Sequence, residues 1–387
     1  MDAFDAALGR RRPSRTAAGF TAMGLCGLGV LVVVLATGGP VPLALAATLA
    51  VAPVPLLVVV VLALDRLEPE PMRNLVTAFL WGATVAAIVA GIVNTIGISA
   101  VSVLLGALGG TAAYVTLGAP VVEETLKALV LVGFLRYRGH ELDGPTDGIV
   151  YACMAGLGFA LSENLLYYTA ALLEGGTGVL AFTFVLRGVL APLLHPLFTS
   201  MTGMALGWAA LRRGGAARVL VPIAGLCAAI GLHALWNGSV SIGGPLALAL
   251  VYLLVMLPAI VMVVLVAWAD RGRVARLIRR LLPQVTPEGL VTEHDLQMLS
   301  SLKRRRAACT DARRTHGRQA ADAMRTYQRA ATELALAYDR LERGVADELW
   351  VRRRREALLP LMAKPAVRAA PRTTGRASWA AQPPNGQ

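Results

Sequence analysis

The sequence predicts an all-α polytopic membrane protein: a helical bundle of about eight transmembrane helices with a small cytosolic helical C-terminal region. Of the 387 residues, 56% are hydrophobic and 16% are charged, whereas a soluble globular chain is about 25% charged. Apolar stretches long enough to cross a bilayer recur from Gly19 onward. The four cysteines show no CxxC spacing, so they do not indicate a disulfide framework.

Eight apolar stretches are candidate membrane spans, because each approaches the roughly 20 residues that a helix needs to cross the hydrocarbon core. They are residues 19–37, 41–64, 74–100, 112–135, 148–173, 180–211, 218–238 and 246–269. Glycine and proline clusters separate them. The sixth stretch is too long for one perpendicular span, so it should tilt or break between Arg187 and Pro192, where proline disrupts the helical hydrogen bonds.

The distribution of arginine predicts the orientation. With eight spans, the N-terminal arginines, the loops holding Arg66, Arg136 and Arg212, and the C-terminal region all lie on one side of the membrane. The opposite loops carry almost no Lys or Arg. The positive-inside rule then places both termini of this cell-membrane protein in the cytoplasm.

Outside the predicted transmembrane domain (residues 19–269), the chain is polar. Residues 1–18 form a predicted cytosolic N-terminal segment. From residue 270 onward there are 24 Lys and Arg against 12 Asp and Glu, so this part carries nearly all of the net charge of +13. We predict a basic helical cytosolic region over 270–363, close to anionic lipid, and a disordered tail over 364–387. No nucleic-acid-binding module is recognised, so no nucleic-acid partner is expected.

Within the C-terminal region, Thr292 followed by Asp295 is typical of a capped helix start. Helices are predicted over 319–343 and 346–362.

Ionisable side chains inside the apolar stretches are the main indication of function. Burying a charge in hydrocarbon is costly, so such residues usually face a bundle interior and take part in chemistry or transport. There are seven of them: Glu123, Glu124, Lys127, Glu163, Arg187, His195 and His233.

The fourth span carries Glu123, Glu124 and Lys127. Lys127 is four residues from Glu123 and three from Glu124, so its ammonium can pair with either carboxylate. Adjacent carboxylates point about 100° apart on a helix, so the two can take different roles.

The later spans bring further polar groups to a similar depth. At about 1.5 Å rise per residue, Glu163, His195 and His233 fall in the same central-to-outer layer of the bilayer as Glu123. Asn237 lies one helical turn after His233, so its amide could orient that imidazole or donate to a developing oxyanion.

These residue types suit metal chemistry. Two imidazoles and one carboxylate are a common catalytic zinc set, and a second carboxylate can act as general base and then acid. The chain has no HExxH sequence, so it is not a conventional zincin. Spacing alone does not separate a zinc site from a proton relay.

The polar motifs together resemble the PrsW family of intramembrane metalloproteases over roughly residues 64–269. The motifs are Glu123-Glu124-x-x-Lys127, Phe159-x-x-x-Glu163-Asn164, His195, His233-x-x-x-Asn237 and the loop Asp65-Arg66-Leu67-Glu68-Pro69-Glu70-Pro71. That family is distantly similar to CAAX-type prenyl endopeptidases. In those enzymes the second motif ends in histidine, whereas here it ends in Glu163, so the ligand assignment stays open.

The resemblance implies an intramembrane endopeptidase that hydrolyses a membrane-anchored protein, as in the site-1 cleavage of an anti-sigma factor. Zinc is then expected on Glu163, His195 and His233. Glu123 or Glu124 is expected to be the general base, with Lys127 as its electrostatic partner. These carboxylate roles can exchange, because the catalytic glutamate can itself touch the metal.

Two other functions are compatible with parts of the sequence. A proton-coupled transporter or ion-translocating protein also uses buried Glu, Lys and His residues, but no internal repeat of the kind many transporters show is visible. A membrane scaffold with a basic tail does not need the buried polar set.

Overall fold

A computed structural model describes residues 15–363, and within this range the chain is helical with no β-strand. The predicted all-α fold is therefore confirmed. The helices are α1 Arg15–Gly38, α2 Pro40–Val51, α3 Val54–Leu62, α4 Met72–Leu80, α5 Ala87–Leu105, α6 Ala107–Ala113, α7 Ala119–Tyr137, α8 Pro145–Phe184, α9 Leu194–Ala210, α10 Ala217–Ser241, α11 Gly244–Val251, α12 Leu257–Val285, α13 Glu293–Leu299, α14 Leu302–Glu342 and α15 Glu348–Met362. Short π-helical turns join α4 to α5, α6 to α7 and α11 to α12.

Six helical stretches among these residues are long and apolar enough to cross a membrane. They are Gly19–Gly38, Pro40–Leu62, Met72–Leu105, Pro145–Ala210, Ala217–Ser241 and Gly244–Val285. The 66-residue stretch Pro145–Ala210 contains the fifth and sixth predicted spans. Helix α7 corresponds to the fourth predicted span and is not among the six. The count of eight therefore stays a prediction, and residues 1–14 and 364–387 lie outside the described residues.

Two interruptions divide the stretch Pro145–Ala210. Gly176 has a left-handed backbone (φ 68°), which glycine adopts without steric cost. A π-helical turn, Val185–Leu190, ends at Ala191 in a non-helical conformation, and α9 begins at Leu194. The predicted break between Arg187 and Pro192 is thus confirmed.

Helices α8 and α9 cross in very close contact. A Cβ atom added to Gly203 would lie 2.1 Å from the backbone oxygen of Gly148, and one added to Gly156 would lie 2.7 Å from the backbone oxygen of His195. Only small residues permit such an approach. The crossing therefore fixes the backbone of His195 against α8. Helices α7 and α10 pack against α9 as well.

Many large apolar side chains on these helices are exposed, as expected for surfaces that face lipid. Examples are Leu56, Val103, Leu104, Phe182, Leu220 and Leu254.

The loop between α3 and α4 takes part in a polar network with α8. Glu70 accepts a hydrogen bond from the Tyr151 hydroxyl, which in turn accepts one from Asn74. Carboxylate oxygens of Asp65, Glu70 and Asp147 lie within 4.8 Å of one another. Burial, together with the nearby charges of Asp147 and Asp65, raises the pKa of Glu70 well above its ordinary value.

The described chain divides into two compact units. One consists of residues 15–274 and 336–351, and the other of residues 275–335 and 352–363. In the second unit, Thr292 and Asp295 form the predicted cap: the Thr292 hydroxyl accepts from the Asp295 amide, and the Asp295 carboxylate accepts from the Thr292 amide. Arg354 pairs with Glu333 at 2.5 Å in the same unit. Helix α14 begins at Leu302, earlier than predicted, and has a non-helical residue at Gly317.

Candidate functional site

Four helices bring the buried ionisable residues together. Helix α7 contributes Glu123, Glu124 and Lys127, while α8, α9 and α10 contribute Glu163, His195 and His233. The direct contacts between these side chains, described below, join residues that are up to 109 positions apart in the chain.

Both carboxylate oxygens of Glu124 have hydrogen-bond partners. Oε1 lies 2.7 Å from Lys127 Nζ and 3.0 Å from His233 Nδ1, and Oε2 accepts from the Thr199 hydroxyl at 2.9 Å. A carboxylate that binds one ring nitrogen of a histidine fixes the ring and directs the other nitrogen away. Glu124 therefore orients His233, whose Nε2 lies 3.8 Å from Glu123.

Glu123 has one oxygen without a hydrogen bond. Its Oε1 accepts from the Asn94 side chain at 3.1 Å. Its Oε2 is buried and has no hydrogen-bond partner among residues 15–363, and Lys127 Nζ and His233 Nε2 each lie 3.8 Å away. A buried carboxylate oxygen without a partner is costly, so this atom is suited to bind a cation.

His195 lies between Lys127 and Glu163. Its Nδ1 is 3.0 Å from Lys127 Nζ, and its Nε2 is 2.6 Å from Glu163 Oε2. If Lys127 is an ammonium it can only donate, so Nδ1 accepts and the ring proton is on Nε2, donated to Glu163. A metal on Nε2 would take the place of that proton.

Arg187 holds Glu163 from the π-helical turn after α8. Its Nη2 lies 2.6 Å from Glu163 Oε2, its Nε donates to the Asn164 side chain at 2.8 Å, and its guanidinium lies 4.0 Å from the centre of the Tyr167 ring. These three contacts, all with residues of α8, hold the guanidinium in place. They therefore also fix the carboxylate of Glu163 beside His195.

Two residues of this cluster have no role that could be predicted from the sequence. Arg187 is one of the seven buried charges, without an expected partner, and Asn94 was not among the expected site residues. Asn94 did give a signal, because it is an isolated amide in the apolar run of α5. The partner of Thr199 could not be predicted, since Glu124 lies on another helix.

The donor set fits a transition metal. One ligand atom each from Glu123, His195 and His233 lies within 4.8 Å of the other two. Glu163 contacts His195 but is not part of this group. Imidazole nitrogens with a carboxylate oxygen suit zinc, and the unpartnered Oε2 of Glu123 lies 3.8 Å from His233 Nε2.

A cavity of about 240 Å³ adjoins the imidazoles of His195 and His233. Its lining includes Glu163, Arg187, His195, His233 and Asn237. The Asn237 amide donates to the backbone oxygen of Val115 at 3.0 Å. The cavity therefore provides space for a ligand beside the two imidazoles.

An apolar helical bundle with imidazoles and carboxylates converging beside a cavity is the architecture of an intramembrane metalloprotein. The family described as PrsW family intramembrane metalloprotease matches residues 70–266, slightly more than half of the chain. The chain belongs to this family, and the matched range contains every residue of the cluster.

One relative is Protease PrsW from Geobacillus kaustophilus (strain HTA426). It is 32% identical to this chain over 143 residues, which is 37% of this chain and 57% of the relative. The match thus covers less than two thirds of the relative's length. No solved structure gives a significant match.

Proposed function

We propose that this protein is a metal-dependent intramembrane endopeptidase that cleaves a membrane-anchored protein. The observation that carries the proposal is that His195, His233 and Glu123 lie close enough to hold one metal ion, while a cavity lies beside the two imidazoles. Membership of the PrsW family supports the same reaction class.

We propose zinc as the metal, with His195 and His233 as two of its ligands. The sequence favours Glu163 as the carboxylate ligand, whereas the ligand-atom distances favour Glu123. We adopt Glu123 as the ligand and give Glu163 the role of general base. Zinc in such a set polarises the peptide carbonyl and activates water for attack.

The remaining residues position these groups and move protons. Glu163, fixed by Arg187, accepts a proton from the attacking water and returns it to the leaving amine. Glu124 orients His233 and is neutralised by Lys127, so we assign it a positioning role. Asn237 lines the cavity and would bind the carbonyl oxygen of the substrate.

The substrate class follows from the location of the cluster within the bundle. We propose that, with both termini in the cytoplasm as the arginine distribution predicts, the cluster would lie in the outer half of the membrane, which would suit site-1 cleavage of a regulatory protein such as an anti-sigma factor. The basic C-terminal region would lie near anionic lipid, and no nucleic-acid partner is proposed.

The test is cleavage of single-span membrane proteins from the same organism, tagged at both ends and co-expressed with the protease. We expect a shortened product that disappears with His195→Ala or His233→Ala, but persists with His294→Ala, a matched change at an exposed histidine of the second unit. Cleavage that continues unchanged in His195→Ala and His233→Ala would contradict the proposal. If no cleavage is seen, and proton flux into liposomes depends on Glu123, the protein would instead be a proton-coupled transporter.

A further inference from the structure

A second cavity, of about 440 Å³, lies at the opposite end of α7 from the cluster. Three parts of the chain line it: the end of α7, the connection between α9 and α10, and the turn between α14 and α15. Four arginines contribute to the lining: Arg136, Arg213, Arg218 and Arg340. All of these residues belong to the first unit.

Three of these arginines have no carboxylate partner among residues 15–363. Arg136 lies against the ring of Tyr137, with 5.6 Å to the ring centre, and Arg218 donates to the backbone oxygen of Arg213 at 3.1 Å. The lining contains one carboxylate, Asp347, whose Oδ1 accepts from the Trp350 amide at 2.7 Å. The cavity wall therefore carries an excess of positive charge, which an anion would neutralise.

The fourth arginine is buried and anchors one wall. Arg340 pairs with Asp143 at 2.5 Å and donates to the backbone oxygens of Gly139, at 2.6 Å, and Leu142, at 3.2 Å. These contacts attach the end of α14 to the segment that follows α7.

Arg213 packs on the turn after α14. A Cβ atom added to Gly344 would lie 3.2 Å from Arg213 Cδ and 3.4 Å from its Nη1. Gly344 also has φ +67°, which favours glycine. The guanidinium of Arg213 therefore lies beside the turn at Gly344 and contributes to the cavity lining.

We propose that this cavity binds a phosphate-bearing anion, either the headgroup of an anionic phospholipid or a soluble phosphorylated solute. Guanidinium groups bind phosphate oxygens through two parallel hydrogen bonds, and the volume suits a small ligand. The cavity lies where α7 ends and α10 begins, and α10 is one of the apolar stretches long enough to cross a membrane, so a lipid headgroup is one source of such a phosphate. This inference does not depend on the proposed peptidase activity.

The test uses the full chain in detergent and two probes. Inorganic pyrophosphate is titrated calorimetrically as the soluble probe. Retention of phosphatidylglycerol over phosphatidylcholine is counted by native mass spectrometry as the lipid probe. The cavity variant is Arg136→Gln with Arg218→Gln, and the matched control is Arg313→Gln with Arg314→Gln, which removes the same charge from exposed positions of the second unit.

We expect the cavity variant to bind at least one probe about tenfold more weakly than the parent, and the control to change by less than about twofold, because each lost charge-assisted pair is worth about tenfold or more. Loss of pyrophosphate binding identifies a soluble ligand, and loss of phosphatidylglycerol retention alone identifies a lipid. Equal effects of the two double variants, or no saturable binding of either probe by the parent, would overturn the proposal.

Discussion

Adjacent residues Glu123 and Glu124 have different surroundings, and this difference assigns their roles. Glu124 uses both oxygens on Lys127, His233 and Thr199, and the buried ammonium of Lys127 neutralises its charge. Glu123 keeps one buried oxygen without a hydrogen bond. We therefore expect Glu124 to be needed for the position of His233 and Glu123 for the metal.

The ion pair between Glu124 and Lys127 gives a stability prediction. Both side chains are fully buried, so Glu124→Gln leaves an ammonium without its carboxylate and should lower the free energy of unfolding by about 3–5 kcal/mol. Adding Lys127→Met should recover most of this loss, since the unpaired ammonium is then removed. Denaturant unfolding in detergent measures both effects. A double variant as unstable as Glu124→Gln alone would contradict the assignment.

Arg187 is predicted to act through Glu163. Arg187→Gln should lower kcat by about 10²-fold or more, within the range for a misplaced general base, and leave the metal content unchanged. Arg187→Lys keeps the charge and should retain part of the activity. Steady-state cleavage and elemental analysis of the same samples make the measurement. Loss of the metal in Arg187→Gln would instead place Glu163 among the ligands.

All seven ionisable side chains of the cluster could be identified from the sequence, because a charge in an apolar stretch is conspicuous. Partners on other helices could not be assigned, because these depend on the rotation of four helices about their axes. The contact between Glu124 and His233 joins α7 to α10, and nothing in either local sequence specifies it.

At the scale of elements, the crossing of α8 and α9 holds His195 in place. Gly203→Ala would place a methyl group 2.1 Å from the Gly148 oxygen and 2.5 Å from Ala152, so the helices must separate. We expect a loss of about 1–3 kcal/mol of stability together with reduced activity.

The matched control for this crossing is Gly231→Ala in α10, where an added Cβ meets no atom within 4 Å. That change should be neutral or stabilise the helix by up to about 1 kcal/mol. Thermal unfolding of the two variants in one detergent is the measurement. Equal midpoints would show that the crossing is looser than the structure indicates.

Element boundaries were predictable where proline or a cap marks them. The break before α9 follows from Pro192 and Pro196, and the start of α13 follows from Thr292. The start of α14 was not predicted, because Gly317 interrupts a helix that continues on its N-terminal side.

At the scale of the whole molecule, the charged residues of the site lower the hydropathy of one helix, α7. Helix α7 carries Glu123, Glu124 and Lys127 at the centre of an otherwise apolar sequence, and it is not among the six apolar stretches. Burial of these groups among four helices removes the cost of exposing them to lipid. A membrane span over α7 therefore stays a prediction, because the charged groups of the site lower the hydropathy of this helix.

The buried carboxyl group of Glu70 predicts a dependence of stability on pH. Because burial raises the pKa of Glu70, its contribution to stability is full below the ordinary glutamate pKa of about 4.5 and is lost as pH rises through the folded-state value. Glu70→Gln keeps an oxygen for Tyr151 and cannot ionise. It should unfold at a higher temperature than the parent at pH 8, and this difference should shrink towards pH 5. A difference that grows as pH falls would contradict the assignment.

The most direct test of the central claim is the metal content of the purified full chain, measured by elemental mass spectrometry beside His195→Ala, His233→Ala and the control His294→Ala. The account predicts about one zinc per chain in the parent and in the control, and almost none in the two site variants while all four proteins stay folded. A folded parent that holds no metal after zinc is added back, or site variants that keep it, would contradict the account.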